Sequence, residues 1–246
     1  MTIHSIKEIR EKYQYSSSDT WYARMVCRKF SVYFTWFFDR TPITPNQITG
    51  LMILSGIIGG LFLGFGGYTN SLVAILLFQL FLILDCVDGE VARIKKMFSL
   101  KGKLLDLIAN DIVFISLFSG LIFKIFNGNY QAFNFLLTHD LIVVILGFCI
   151  IVFFLLSKLL FYYVKEVDER LGGSCLKSSI FNSKIKLTIL RIVNNLSSPP
   201  IVILIVTIGA IFNLFHYILF FYAAFFPLYY FASLAVILKN KEVRRN

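Results

Sequence analysis

The residues with the clearest chemical potential lie in one run, Asp85-Cys86-Val87-Asp88-Gly89-Glu90-Val91-Ala92-Arg93, followed by Gly102, Asp106 and Asn110. Asp85 and Asp88 are three apart and share one helix face, while Asp106 and Asn110 are four apart and share another. A short loop between the two helices brings those faces together. Three carboxylates in one place repel each other and hold protons unless positive charge is near. Divalent cations remove that conflict, and an oxygen-rich set suits Mg²⁺ or Mn²⁺. Such a metal neutralises a diphosphate and polarises a phosphorus under attack. Gly89 and Ala92 leave room beside the carboxylates, and Gly102 does the same on the next helix. Arg93 is placed to pair with a phosphate, with Glu90 or with another acidic neighbour. Spacing alone leaves a second reading open, in which these are ordinary charged helix ends and Arg93 is a topology signal.

The elements that must position these residues follow from hydropathy. The chain has 246 residues, 57% of them hydrophobic and 15% charged, with a mean hydropathy of +0.75. Soluble domains carry about 25% charged residues. No Asp, Glu, Lys or Arg occurs from Thr41 to Leu84 or from Ile192 to Leu238, and each tract holds two spans of roughly 20 residues. The expected spans are 46–67, 71–95, 102–126, 140–164, 198–215 and 218–238. Thr44 and Pro45 open the first, which contains Gly50, Gly56, Gly59, Gly60 and Gly64, and glycine lets membrane helices approach closely. Residues 171–195 read as a basic loop with a short amphipathic helix. Ahead of the spans, from Trp21 to Phe38, apolar Tyr22, Met25, Val26, Phe30, Tyr33 and Phe34 alternate with Arg24, Arg28 and Lys29. That pattern suits an interfacial helix with its basic side toward phosphates.

The expected fold is therefore all-α: a polytopic membrane protein with six transmembrane helices and an N-terminal interfacial amphipathic helix. Residues 1–40 form a cytoplasmic tail and the interfacial helix, and residues 41–246 form the membrane domain. Of the 24 Lys and Arg residues, 23 fall on one side of this topology, Lys124 being the exception. That asymmetry puts both termini and the carboxylates in the cytoplasm, in a plasma (inner) membrane. It also explains the net charge of +10 without nucleic acid, and basic flanks favour anionic lipid head groups. The four cysteines form no CxxC pair, so neither a zinc site nor a disulfide framework follows. The N-terminus lacks the apolar core and cleavage site of a secretory signal.

The pattern Asp85-x2-Asp88-Gly89-x2-Ala92-Arg93-x8-Gly102-x3-Asp106-x3-Asn110 closely resembles the signature of the CDP-alcohol phosphotransferase family. Thr44-Pro45-Asn46-Gln47-Ile48-Thr49 is similar to the start of that family's first span. The resemblance implies displacement of CMP from a CDP-alcohol by an acceptor hydroxyl, lipid or polar, in phospholipid biosynthesis. It implies two Mg²⁺ or Mn²⁺ ions on Asp85, Asp88 and Asp106, with Asn110 as a further ligand. It assigns the CDP portion to Asp88, Gly89, Ala92 and Arg93, with Asn46 and Thr49 from the first span. A cytosolic nucleotide pocket, a lateral opening for membrane lipid and a homodimer are also implied.

One position departs from the family pattern. Its last residue is normally an aspartate that binds metal and acts as base, and here it is Asn110. An amide oxygen coordinates metal but does not accept a proton as a carboxylate does. Asp111 is adjacent, yet at about 100° per residue it points roughly 140° away from Asp106, against about 40° for Asn110. Three readings follow: an acceptor activated by metal or carrying its own base, an Asp111 brought in by a helix distortion, or a catalytically degenerate CDP-lipid binder. An ion-coupled transporter ranks below these, because the acids lie near the helix ends rather than at mid-membrane. The residues that would do or replace the acid–base chemistry are thus Asp106, Asn110 and Asp111. Lys158, Lys165, Lys177 and Arg191 are candidates for an acceptor phosphate.

Overall fold

The computed structural model describes residues 4–14, 20–127, 140–170 and 196–242. It begins with α1 (Ile6–Glu8), which runs on as a π-helical turn Ile9–Tyr13. A second π-helical turn, Ala23–Cys27, leads into α2 (Arg28–Asp39). The long apolar helices are α3 (Pro45–Gly64), α4 (Tyr68–Lys95), α5 (Leu100–Asn127), α6 (Asp140–Arg170) and α8 (Phe215–Glu242), with a shorter α7 (Pro199–Ile211). Among the described residues there is no strand. The chain is an all-α polytopic membrane protein.

Five of these helices are long and apolar enough to cross a membrane. The fifth expected span is shorter than anticipated: α7 has 13 residues, or about 20 Å at 1.5 Å per residue against roughly 30 Å of hydrocarbon. Its start is set by Pro199 and Pro200, which suit a first helical turn, and Asn213 at φ 58° turns the chain soon after its end. The expected start of the second span at Ser71 moves to Tyr68, because Gly66 and Gly67 turn the chain at φ 73° and 76°. The fourth span continues past 164 to Arg170. Lys177, Arg191 and the expected 171–195 loop lie outside the described residues.

The chain divides into two compact units, one of residues 1–129 with 199–215 and one of 130–198 with 216–246. In the first, α3 crosses α5 at glycines. A Cβ on Gly56 would strike Val113, and one on Gly60 would strike the Ser116 side chain and backbone. Gly120 of α5 meets the Gly60 backbone in return. This is the small-residue contact that membrane helices use where no hydrophobic effect drives them together. In the second unit, Phe154 stacks edge-on with Phe226 at 5.6 Å and Phe153 meets Tyr230 at 5.7 Å. Lys158 sits over the Phe154 ring at 4.9 Å.

Lys124 explains itself once its surroundings are seen. It is 2% exposed, its Nζ donates to the Gly67 carbonyl at 3.2 Å and lies 4.6 Å from the centre of the Phe215 ring. The residue that departs from the one-sided charge pattern thus ties α5 to the turn before α4.

The interfacial helix turns its aromatic side outward, as its pattern predicts, and departs from expectation at Arg28. Ser31, Val32, Thr35, Phe38 and Asp39 are its buried face, while Phe30, Tyr33 and Phe37 are more than half exposed. Its inward side is therefore largely polar and its outward side aromatic, the arrangement that holds a helix at head-group depth. Arg28, expected to face lipid phosphates, instead points inward and donates to Glu90 at 2.9 Å.

Candidate active site

The first unit contains every residue of the acidic signature. In α3, Pro45 occupies the first helical turn and the Thr44 N–H donates to Gln47 Oε1 at 2.9 Å, closing the N-terminus. That fixes Asn46 and Thr49 one turn in. Thr49 Oγ1 lies 2.9 Å from Asp88 Oδ2 and 3.1 Å from the Pro45 carbonyl. Its single proton serves one acceptor at a time. Both Thr49 and Asp88 are buried.

Asn46 reaches across to the next helix but one. A Cβ on Gly102 would stand 3.0 Å from Asn46 Oδ1 and 3.0 Å from Ser99 Oγ, so any larger residue displaces one of them. Ser99 Oγ accepts the Gly102 N–H at 2.9 Å, capping α5. Gly102 therefore lets the start of α5 come against the start of α3.

Between α4 and α5, one amide group links two carboxylates. Asn110 Nδ2 donates to the Asp106 carbonyl at 3.0 Å and lies 3.3 Å from Asp106 Oδ1 and 3.4 Å from Asp85 Oδ1. The side chains of Asp85 and Asp106 thus converge on one nitrogen. α5 runs as a regular α-helix from Leu100 to Asn127, so no distortion turns Asp111 onto the face of Asp106 and Asn110.

Arg93 reaches back to the N-terminal segment. Its Nε donates to the Tyr13 carbonyl at 2.7 Å, and a Cβ on Gly89 would lie 3.5 Å from its guanidinium. Gly89 leaves the space over which that guanidinium lies. The Ala92 carbonyl accepts the Met97 N–H at 3.0 Å, where Lys96 at φ 55° ends α4.

Glu90 is the residue whose role sequence reasoning missed. It is fully buried. Oε1 accepts from Arg28 at 2.9 Å, Ser31 at 2.8 Å and Gln14 at 3.4 Å, while Oε2 accepts from Thr35 at 2.6 Å. A buried carboxylate survives only when paired and hydrogen-bonded, and this one is both. Arg28, Ser31 and Thr35 recur at helical spacing on an otherwise aromatic helix, which is the signal that could have revealed them. Lys95, read as a topology charge, donates to the carbonyls of Phe38, Thr41 and Ile43 at 3.2, 2.7 and 2.7 Å. All three ammonium protons are used at the C-terminus of α2.

The donor chemistry suits a hard divalent cation. Asp85, Asp88 and Asp106 supply carboxylate oxygens, with the Thr49 hydroxyl beside Asp88. Among the described residues no three His, Cys, Asp or Glu side chains already close on a common metal position. The Asn110 amide hydrogens occupy the place where Asp85 and Asp106 converge.

No curated protein matches the chain. The sequence profile described as CDP-alcohol phosphatidyltransferase matches residues 42–238, which include all three helices of the site. That match covers most of the chain and shows that it belongs to the CDP-alcohol phosphatidyltransferase family.

Proposed function

We propose that this protein transfers an alcohol-phosphate from a CDP-alcohol to an acceptor hydroxyl and releases CMP. Family membership carries the coarser statement, a membrane transferase that takes a phosphoalcohol group from a CDP-alcohol. The observation that supports the finer reading is the convergence of Asp85 and Asp106 from two helices on Asn110, with Asp88 held by Thr49 beside them.

In this reading Asp85, Asp88 and Asp106 hold Mg²⁺ or Mn²⁺, with Asn110 contributing its oxygen once the amide turns over. When bound, the metal neutralises the diphosphate and polarises the phosphorus. Gly89 and Ala92 give the nucleotide room, Arg93 faces its phosphates, and Asn46 and Thr49 border it from α3. The acceptor oxygen forms a bond to the alcohol-bearing phosphorus as the bond from that phosphorus to the CMP oxygen breaks. CMP leaves with the electron pair. The acceptor proton passes to a carboxylate of the signature or to a substrate phosphate, since Asn110 does not take it. The one-sided basic residues support a site on the cytoplasmic face.

The test is CMP release by detergent-purified protein across a matrix of CDP-donors and acceptors, with Mg²⁺, with Mn²⁺ and with chelator. Metal-dependent CMP release supports the transfer. A second reading draws on the amide of Asn110 at the position between the carboxylates: a degenerate relative that binds CDP-lipid without turnover. CDP binding with no CMP release from any pair would favour that one.

A further inference from the structure

Residues 4–14 pack on α2 and α4 of the first unit although they precede the region 42–238 that matches the family. Ser5 caps α1 by accepting the Glu8 N–H at 3.2 Å, and Ile9 in the π-helical turn is fully buried. His4 makes the outer attachment. Its backbone N–H and its Nδ1 both meet Oδ2 of the buried Asp39 on α2, at 3.3 and 3.1 Å. Gln14 makes the inner one, donating from Nε2 to the Arg28 carbonyl at 2.7 Å.

The two attachments meet at Tyr13. With the ring proton on Nδ1, His4 donates to Asp39 and leaves Nε2 to accept from the Tyr13 hydroxyl at 3.4 Å. The two rings also pack edge-on, 5.3 Å between centres. Tyr13 closes the π-helical turn and Gln14 is extended. The Tyr13 carbonyl is therefore one of those that a helix end leaves without an internal partner. Arg93 Nε donates to it at 2.7 Å. A line of contacts thus runs from Asp39 through His4 and Tyr13 to the guanidinium.

Pinning Nε fixes the plane of the whole fork, because the guanidinium is rigid and flat. Nη1 and Nη2 lie over Gly89, 3.5 and 3.8 Å from where its Cβ would stand. Gly89 is one turn beyond Asp85 on the same helix face. The two terminal nitrogens are presented beside the carboxylates in one orientation, as bidentate phosphate binding requires. A ligand that met an unpinned arginine would have to order that side chain itself.

We infer that His4 and Tyr13 are positioning residues: with Asp39 they make segment 4–14 a clasp that holds the Arg93 fork ready for the diphosphate of the CDP-donor. The inference rests on the phosphotransferase reading, in which Arg93 faces that diphosphate. The clasp touches no substrate and moves no proton. It acts through Arg93.

The test uses the full-length protein in detergent. CDP affinity is measured by titration calorimetry with Mn²⁺, and hydrogen–deuterium exchange is followed over residues 4–14. His4→Ala removes the latch, Tyr13→Phe removes only the hydroxyl link, and His4→Asn keeps an amide N–H where Nδ1 stood. His4→Ala should speed exchange in the segment and leave exchange in α3, α4 and α5 unchanged. It should weaken CDP about fivefold, the loss expected when the ligand must order one long side chain. Tyr13→Phe should do the same more weakly, and His4→Asn should restore much of the affinity. In an Arg93→Lys background, which keeps the charge and lacks the fork, His4→Ala should have no further effect on CDP. A second loss of the same size there would make the segment a structural support only and overturn the inference. CDP affinity unchanged in His4→Ala, with the segment opened or closed, would overturn it and keep the phosphotransferase reading. No CDP binding by the wild type at any Mn²⁺ concentration would remove that reading and the inference together.

Discussion

Asn110 donates through Nδ2 toward Asp85 Oδ1 at 3.4 Å, a neutral bridge between α5 and α4 at the place where the family resemblance implies a fourth acid. The same nitrogen serves Asp106 on its own helix. Replacing it by aspartate removes a donor and adds a like charge. Asn110→Asp should therefore lower metal-free stability by about 1–3 kcal/mol and bind divalent metal more tightly. CDP binding should persist and CMP release should rise, since a carboxylate base contributes up to about 10²–10⁴-fold. The measurement is turnover at saturating donor over a range of Mg²⁺ and Mn²⁺, which separates binding from catalysis. Slower turnover at every metal concentration would contradict the proposed roles.

Asp111 follows one residue later on a regular helix, facing away from Asp106. Asp111→Asn should keep most of the activity, whereas Asp106→Asn should lose most of it through poor metal positioning. Abolished turnover in Asp111→Asn, with folding and metal affinity intact, would make Asp111 the base.

Glu90 and Arg28 form a buried pair, with side chains 0% and 13% exposed. Breaking such a pair typically costs about 3–5 kcal/mol, while replacing both partners with apolar groups costs far less. Glu90→Ala should lower the thermal unfolding midpoint in detergent sharply, and Arg28→Met combined with Glu90→Leu should recover much of the loss. A wild-type midpoint for Glu90→Ala would show that the pair does not hold α2 in place.

Two glycines of the same helix should behave in opposite ways. Gly60 faces the Ser116 backbone of α5, whereas a Cβ on Gly50 meets nothing within 4 Å. Gly60→Ala should destabilise the protein by about 1–3 kcal/mol through overpacking. Gly50→Ala should be neutral or stabilising by up to about 1 kcal/mol. Thermal unfolding of the two variants side by side checks the α3–α5 crossing directly.

Topology is tested by accessibility. With single cysteines in a cysteine-free background, positions 70 and 216 should label from outside and position 12 from the cytosol. Labelling of position 70 from the cytosol would invert the proposed orientation.

Much of this is legible in the sequence, for reasons that differ by residue. The uncharged tracts and the Asp85–Asn110 spacing dictate helices whose acidic faces meet, because helical periodicity is local. Whether Asn110 offers its oxygen or its nitrogen is not local, since it depends on what stands opposite. The contact from Arg28 to Glu90 joins residues 62 apart in the chain, and pairing over that separation leaves no mark in composition. Lys95 counts among the one-sided topology charges and Lys124 stands as their exception, because a lysine satisfying carbonyls has the same hydropathy as one in water. The length of α7 is overestimated for a related reason: apolar tracts show what tolerates lipid, while the turn at Asn213 decides where the helix stops.

The two-sided packing of α2 also bears on where chemistry happens. One side of this helix is a row of exposed aromatic rings, and the other is fastened to Glu90, two residues beyond Asp88. Vertical travel of α4 relative to the bilayer surface would drag those rings into hydrocarbon or lift them into water. A helix seated at head-group depth would act as a float, keeping the acidic residues level with the phosphates of the surrounding lipids.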